Sequence, residues 1–225
     1  KVYMTKKIIA VDLDGTLLNN ESKLSDFTKE TIKKISEKGH HVIITTGRPY
    51  RMAKDFYREL ELHTPMINFN GSLTHLPGQA WAHEKCLTLD KKYLLDMVKR
   101  TEDIQADFIA GEYRKKFYIT TPNEEIADPK LFGVENFRPE NQFKPERVTK
   151  DPNCILLQTR AEDKYALADE MNRFYQHQLA INTWGGPLNI LECTPKGVNK
   201  AFALEYLLNV MNRDKKDLIA FGDEH

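Results

Sequence analysis

The sequence predicts an α/β fold: a Rossmann-like sheet of parallel strands whose chain is interrupted by an inserted α+β domain. Strand-like runs and amphipathic helices alternate from the N-terminus to about residue 81. From about residue 82 to 187, consecutive strand-like runs follow each other without an intervening helix. Strand and helix alternate again in the last 38 residues, from residue 188 to 225. Alternation is typical of parallel sheets, because two parallel neighbours need a crossover connection.

The first part of the chain contains three buried-type strands, with the sequences KKIIAVDL, HHVIITTGRP and PMINFNG. The helix predicted between the first two has Ser25 as its N-cap and Gly39 as its stop. Its apolar stripe recurs at helical spacing and comprises Leu24, Phe27, Thr31, Ile32 and Ile35. A second stripe follows the second strand and comprises Ala53, Phe56, Tyr57 and Leu60. These elements predict a core domain of residues 1–81 and 188–225.

Residues 82–187 form the predicted insertion, in which a helix followed by two strands occurs twice. The first copy reads LDKKYLLDMVKR, IQADFIA and KKFYITT. The second reads as a helix around Tyr165 and Ala168, followed by QLAINTW and by LNILECT, a strand-like run that lies just after the predicted boundary at residue 187. Strands that succeed each other directly favour antiparallel hairpins, so the insertion is predicted to be α+β with two loosely duplicated halves.

The composition narrows the class of partner. Lys plus Arg and Asp plus Glu each number 33, so no net charge attracts nucleic acid or anionic lipid, and a small molecule is favoured. No apolar run is long enough to span a bilayer and the N-terminus carries no signal-peptide core, which predicts a cytoplasmic protein without membrane contact. The three widely spaced cysteines are expected to be packed thiols. The oligomeric state stays open, and a monomer is compatible with the sequence.

Polar side chains follow the predicted strands of the core, where ligands of open α/β sheets bind. These strand-end residues are Asp12, Asp14, Thr45, Thr46, Gly47, Arg48, Asn70, Gly71, Gly222 and Asp223. Asp12 and Asp14 share one side if the strand continues through them, although the turn at Gly15 is expected to re-aim the second. Close carboxylates repel unless a cation lies between them. Together with Asp223 they predict an oxygen site suited to Mg²⁺.

Four motifs in this order resemble those of one known family. DLDGTLL, TTGRP, PKGVNK and FGDEH together are similar to the motifs of the haloacid dehalogenase superfamily, specifically its Cof-type phosphatases. The resemblance covers the whole chain and includes an α+β cap inserted between the second and third motifs. A lone DxDG would more often be a turn.

The resemblance implies a role for each matching residue. Asp12 would attack phosphorus to form an aspartyl-phosphate, and Asp14 would protonate the leaving oxygen and then activate water. Mg²⁺ would be held by Asp12, the Asp14 carbonyl and Asp223. The residues expected around the phosphate are Leu13 and Gly47 through their amides, Thr46 through its hydroxyl and Lys200 through its charge.

Four positions leave choices open. Lys196 and Lys200 both lie in PKGVNK, and the family pattern favours Lys200 while Lys196 is expected to face solvent. Arg48 and Asn70 are possible substrate-binding residues, and a structural turn role is equally compatible with them.

The predicted function is Mg²⁺-dependent hydrolysis of a small phosphorylated metabolite, a sugar phosphate or a phosphorylated cofactor such as FMN or pyridoxal phosphate. The alternative is a catalytically silent protein of the same fold that binds or senses a phosphorylated ligand. A dinucleotide-binding protein is disfavoured because no GxGxxG follows the first strand. The chain ends at FGDEH, whereas the family continues through an Asn-Asp pair, so the C-terminal part of the core is expected to be truncated.

Overall fold

The computed structural model describes residues 5–222, and these divide into two compact units. The core unit comprises residues 5–86 and 199–222, and the insertion unit comprises residues 87–198. Both ends of the insertion unit therefore join the core unit.

The core unit begins with alternating strands and helices. In chain order these are β1 (Ile8–Val11), α1 (Asp26–Glu37), β2 (His41–Ile44), α2 (Lys54–Glu59) and β3 (Met66–Asn68). Ser25 is the N-cap of α1, where its hydroxyl accepts a hydrogen bond from the Thr28 amide at 3.1 Å, and Gly39 follows the helix with φ +87°. Both predicted helix boundaries are confirmed.

The third predicted strand is shorter than the sequence indicates. β3 ends at Asn68, and residues 69–71 form a tight turn in which Phe69 and Asn70 have φ of 51° and 54°. A left-handed backbone cannot continue a strand, which explains the early end. The chain then runs back through two strands that were not predicted, β4 (Leu73–His75) and β5 (Lys85–Cys86), in the antiparallel order β3-β4-β5.

The insertion unit contains a five-stranded antiparallel sheet and three helices. Its elements are α3 (Lys91–Lys99), α4 (Thr101–Ile104), β6 (Ala106–Glu112), β7 (Phe117–Ile119), β8 (Cys154–Thr159), α5 (Lys164–Phe174), β9 (Leu179–Thr183) and β10 (Ile190–Pro195). In the strand order β7-β6-β8-β10-β9, one hairpin lies on each side of β8. Each hairpin is preceded by a helix, so the repeated helix and hairpin of the prediction are present.

One apolar cluster fills the insertion unit between its sheet and its helices. Ile109, Ile155 and Leu191 lie on one face of the sheet and pack with Leu94 of α3 and Leu167 of α5. Burial of this face is the main source of stability for such a unit.

The chain returns to the core unit with α6 (Lys200–Val210) and β11 (Leu218–Phe221). β1 pairs in parallel with β11 on one side and with β2 on the other, and a parallel bridge joins Thr45 to Ile67 of β3. The predicted parallel α/β core is confirmed.

The two faces of this parallel sheet are covered by different helices. Ile9 and Val42 point to one face and pack in a cluster with Ile32 of α1. Ile8 and Ile43, their neighbours along the strands, point to the other face and pack with Leu207 of α6. This alternation follows from the period of two in a strand and produces the three-layer arrangement typical of doubly wound sheets.

The unit boundaries differ from the predicted domain boundaries at residues 82 and 187. The second difference is the larger, because β10 hydrogen-bonds both β8 and β9 and so belongs to the insertion sheet. The residues between 188 and 198 therefore lie in the insertion unit rather than the core. At the first boundary, β5 pairs with β4 and stays in the core unit.

The structure also bears on the cysteines and on membrane contact. Cys154 and Cys193 are buried free thiols, as predicted, whereas Cys86 is exposed on the short strand β5. Among the helices of residues 5–222, none combines the length and the apolar character that a membrane crossing needs.

Candidate active site

The strand ends of the core sheet are tied together by backbone hydrogen bonds. The Asp12 amide donates to Phe221 of β11 at 3.2 Å, and the Thr45 amide donates to Val11 of β1 at 2.8 Å. The Thr46 amide donates to Ile67 of β3 at 2.9 Å. The segments that follow β1, β2 and β3 therefore start side by side at one edge of the sheet.

The segment after β1 turns at once. Asp14 (φ −69°, ψ 129°) and Gly15 (φ 75°, ψ −1°) have the dihedral angles of a type II turn. The second of these positions needs a positive φ, which glycine adopts without strain. β1 thus ends before Asp12, and the turn directs Asp14 differently from Asp12, as the sequence indicates.

Asp12 is paired with Lys200. The Lys200 ammonium lies 2.8 Å from Asp12 Oδ2, and the Leu13 amide donates to Asp12 Oδ1 at 2.8 Å. Lys200 is the first residue of α6, whose N-cap Asn199 accepts from the Phe202 amide at 2.8 Å. Lys196, the other candidate, is exposed and precedes the helix.

Asp14 is paired with Arg48. Arg48 Nε donates to Asp14 Oδ2 at 2.8 Å and Nη2 donates to Oδ1 at 2.7 Å. Two parallel bonds of this kind fix both the position and the plane of a carboxylate. The Asp14 side chain is 56% exposed, whereas the Arg48 side chain is 20% exposed, with its guanidinium over the Phe56 ring and donating to the Met52 carbonyl.

Thr46 and Gly47 lie in the loop after β2. Thr46 is fully buried, and its Oγ1 accepts from the Arg48 amide at 3.1 Å. Accepting that bond leaves the hydroxyl hydrogen of Thr46 free to be donated. A Cβ at Gly47 would lie 2.9 Å from the Asn70 side-chain nitrogen, so glycine allows the side-chain amide of Asn70 to approach this loop.

Asn70 is presented by the tight turn after β3. Phe69, Asn70 and Gly71 all have positive φ, which is uncommon for the first two residue types. In this turn the main-chain amide of Asn70 donates to the Thr46 carbonyl at 3.0 Å, and the main-chain amide of Phe69 donates to the Arg48 carbonyl at 3.2 Å. Gly71 packs against α6, where a Cβ would lie 2.3 Å from the Asn199 carbonyl oxygen.

The predicted site residues therefore gather in two ion pairs and the loop beneath them. Asp223 lies outside the described residues, and residue 222, directly before it, is a glycine against Asp12, since a Cβ there would lie 3.1 Å from Asp12 Cβ. Within residues 5–222, no group of three or more His, Cys, Asp or Glu side chains is placed to hold a metal ion.

The available donors still fit Mg²⁺. The Asp12 carboxylate and the Asp14 carbonyl are the hard oxygen ligands that this ion prefers, and the glycine at 222 keeps the space beside Asp12 free of a side chain.

The sequence reasoning missed two buried residues below the loop. Asn68 is fully buried at the end of β3, and its Nδ2 donates to the Arg48 carbonyl at 3.0 Å. His75 is also buried, and its Nε2 lies 2.7 Å from Asn68 Oδ1. A polar residue inside the apolar run MINF is the signal that could have indicated Asn68.

A family model described as haloacid dehalogenase-like hydrolase matches residues 9–225. The chain belongs to the haloacid dehalogenase-like hydrolases. Among similar proteins, YitU of Bacillus subtilis (strain 168) is 30% identical over an alignment of 222 residues, which covers 96% of this chain and 80% of YitU. YitU is named a 5-amino-6-(5-phospho-D-ribitylamino)uracil phosphatase.

Solved structures share the fold of this chain. TM0651 from Thermotoga maritima has a TM-score of 0.77 and 23% identity, with 98% of this chain and 81% of TM0651 covered. BT4131, named a subclass IIB sugar phosphatase of this superfamily, has a TM-score of 0.75 and 19% identity, with 97% and 81% covered. The predicted superfamily, fold and hydrolase class are confirmed.

Proposed function

We propose that this haloacid dehalogenase-like hydrolase is a Mg²⁺-dependent phosphatase that cleaves a small phosphorylated metabolite through an aspartyl-phosphate on Asp12. The observation that carries the proposal is the pairing of two neighbouring carboxylates with two different cations. Asp12 pairs with Lys200 and Asp14 with Arg48, each at 2.8 Å or less. Carboxylates in different surroundings can perform different roles in one reaction.

In the first step, an Asp12 carboxylate oxygen forms a bond to phosphorus while the bond from phosphorus to the ester oxygen breaks. For this step Asp14 carries a proton on one oxygen, which then no longer accepts from Arg48 and donates to the departing ester oxygen, so the product leaves as an alcohol. Lys200, which lies beside Asp12, places a positive charge near the phosphoryl oxygens during the transfer.

In the second step, Asp14, now a carboxylate, takes a proton from water. The water oxygen bonds to phosphorus, the bond from phosphorus to Asp12 breaks, and inorganic phosphate is released. The Thr46 hydroxyl and the Gly47 amide are proposed to donate to the phosphate in both steps, and the Leu13 amide would join them when it releases Asp12 Oδ1. Arg48, by its two bonds to Asp14, keeps this carboxyl group at the site.

Mg²⁺ would be held by the Asp12 side chain, the Asp14 carbonyl and Asp223, and when bound it would neutralise charge on the phosphate. The proposed substrates are a sugar phosphate and a phosphorylated cofactor or its precursor. The name of YitU favours a phosphorylated ribitylaminouracil as the first compound to test.

The function can be tested by phosphate release from a panel containing phosphorylated ribitylaminouracil, sugar phosphates, FMN and pyridoxal phosphate. Turnover should vanish on treatment with a chelator and return with Mg²⁺. Asp12→Asn should abolish turnover, whereas Glu21→Gln, which changes an exposed acid outside the site, should leave turnover unchanged. A chain that binds these esters but turns over none of them would support the silent binding protein instead.

The separate roles of the two aspartates can be tested with a ³²P-labelled aryl phosphate, whose leaving group needs no proton. Acid quenching of Asp14→Asn should yield labelled protein that loses its label slowly, because attack by Asp12 persists while activation of water is lost. General acid–base groups contribute about 10²–10⁴-fold, which sets the expected loss of turnover. Label on Asp12→Asn would contradict the assignment of the nucleophile.

A further inference from the structure

We propose that Asn68 and His75 are a pair of positioning residues for the loop that follows β2, and that they act on the reaction through Arg48. This proposal rests on the function proposed above. The hydrogen bonds that join His75 to Asn68 and Asn68 to Arg48 lead to the main chain of this loop rather than to Asp12 or Asp14. The effect of the pair is therefore transmitted through the main chain at Arg48.

Asn68 fixes the Arg48 carbonyl from below. Its Nδ2 donates to that oxygen at 3.0 Å, and the Phe69 amide donates to the same oxygen at 3.2 Å. On the other side of the residue, the Arg48 amide donates to Thr46 Oγ1 at 3.1 Å. Both peptide groups of Arg48 are therefore held, which restricts the direction in which its side chain leaves the loop.

His75 fixes the orientation of the Asn68 amide. Because Asn68 Nδ2 faces a carbonyl, Asn68 Oδ1 must be the atom that lies 2.7 Å from His75 Nε2. A carbonyl oxygen only accepts, so His75 must carry a proton on Nε2 and donate it. The direction of every bond from His75 through Asn68 to Arg48 is thus determined by the Arg48 carbonyl.

The pair is buried, and His75 also contacts the short helix that follows the loop. Asn68 and His75 are 0% and 1% exposed, and the Tyr50 ring meets the His75 ring edge-on with centroids 5.0 Å apart. Tyr50 opens the short helix Tyr50–Met52 that follows the loop. Buried polar groups without partners are costly, so loss of one member should disturb the other.

The turn after β3 explains why such support is needed. Phe69 and Asn70 have φ of 51° and 54°, a strained conformation that persists only where surrounding contacts impose it. Asn68, directly before the turn, is one of those contacts. It therefore joins the turn that presents Asn70 to the loop that presents Thr46 and Arg48.

Asn68→Asp is the informative substitution, because it keeps the shape and the acceptor for His75 but replaces the Nδ2 donor by an oxygen facing the Arg48 carbonyl. With p-nitrophenyl phosphate, it should lower kcat by about 10- to 100-fold, the range expected for misplacing a catalytic group. His75→Gln, which retains a donor at the Nε2 position, should stay within about threefold of the native kcat, whereas His75→Leu should fall with Asn68→Asp.

A double-mutant cycle with Arg48→Met distinguishes an effect of Asn68 through Arg48 from a general effect of Asn68 on the fold. If Asn68 acts through Arg48, Asn68→Asp should cause no further loss of kcat in the Arg48→Met chain. Equal losses in both backgrounds, or no loss in the native background, would overturn the proposal. Ser72→Ala is the matched control, because Ser72 is equally buried in the same segment and its hydroxyl has no hydrogen-bond partner among the described residues.

A second measurement does not depend on activity. In spectra of ¹⁵N-labelled chain, His75 should show a slowly exchanging proton on Nε2, and Arg48 a slowly exchanging proton on Nε that disappears in Asn68→Asp. An Nδ1-protonated His75, or an Arg48 signal unchanged in Asn68→Asp, would contradict the pair even if the chain hydrolyses esters. Both signals as expected in a chain without turnover would contradict the proposed function and leave the positioning pair supported.

Discussion

Asp12 and Asp14 are two positions apart and yet are held by different means. Asp12 is bound at one oxygen by the flexible, compact ammonium of Lys200 and at the other by the Leu13 amide. Asp14 is bound at both oxygens by the planar guanidinium of Arg48. A point charge beside the first carboxylate suits a group that must reach phosphorus, and a rigid fork suits a group whose orientation must be kept.

The planar fork is the part of Arg48 that we expect to matter. Arg48→Lys keeps the positive charge but cannot form two parallel bonds to Asp14, so kcat for phosphate release should fall about tenfold or more with a smaller change in KM. Arg58→Lys, at an exposed position on α2, serves as the control and should leave both constants unchanged. An Arg48→Lys chain with native kcat would show that charge alone suffices.

His41 gives a prediction about the pH dependence of stability. Burial, together with the charge of Arg213 and the neighbouring His40, lowers the pKa of His41 below its ordinary value of 6.5. A lowered pKa means that the folded chain binds fewer protons than the unfolded chain between the two values, so stability should fall as the pH drops through 6.5. Well above pH 6.5, His41 is neutral in both the folded and the unfolded chain, and this loss of stability is absent.

The measurement is the free energy of unfolding by urea at pH 7.5 and at pH 5.5. The native chain should lose more stability between these two values than His41→Gln, whose side chain does not titrate. Equal losses in the two chains would show that His41 has the same proton affinity in the folded and unfolded states.

At the scale of elements, the turn of residues 69–71, which follows β3, packs against the start of α6. Gly71 has φ +112°, and a Cβ there would lie 2.3 Å from the carbonyl oxygen of Asn199, the N-cap of α6. Lys200 is the first residue of that helix, so the close approach at Gly71 also sets where the Lys200 side chain begins. The position thereby links packing to the Asp12 ion pair.

Gly71→Ala should destabilise the chain by about 2–5 kcal/mol, as the sum of a left-handed backbone and an overlap with backbone atoms. Gly78→Ala separates the two causes, since Gly78 has φ +76° but no atom within 4 Å of the position that a Cβ would occupy. It should cost only about 1–2 kcal/mol. Equal unfolding free energies for the two variants would mean that α6 shifts to accommodate the new methyl group.

The sequence predicts the elements of this core better than their connections. Apolar periodicity and the Ser25 and Gly39 signals indicate α1 correctly, because both depend on neighbours along the chain. The hairpin of β4 and β5 was missed, since its strands are only three and two residues long. The end of the insertion was placed before β10 rather than after it, because strand pairing with β8 depends on residues far apart in sequence.

The same distinction applies to the candidate site. The residue types and their places at strand ends follow from local motifs, and the structure brings Asp12 together with Lys200 and Asp14 together with Arg48. Which carboxylate receives which cation could not be predicted, because it depends on the turn at Gly15 and on the start of α6. Asn68 and His75 were missed for the same reason, as their partners become adjacent only in the folded core.

At the scale of the whole molecule, the two compact units differ in the exposure of their cysteines. Cys86 is exposed in the core unit, whereas Cys154 and Cys193 are buried in the central strands of the insertion sheet. Burial raises the pKa of both buried thiols, and the charge of Glu192 raises it further. Since the thiolate is the reactive form, these two should be inert while the sheet is intact.

The thiols therefore report separately on the insertion unit. With an excess of Ellman's reagent at pH 8, one thiol per chain should react within minutes, and Cys86→Ser should remove this fast phase. The two remaining thiols should react only as urea unfolds the five-stranded sheet, at concentrations where the far-UV signal of the chain changes. Prompt reaction of a second thiol in the native chain would show that the sheet opens locally, since neither Cys154 nor Cys193 can meet the reagent unless β8 and β10 separate from their neighbours.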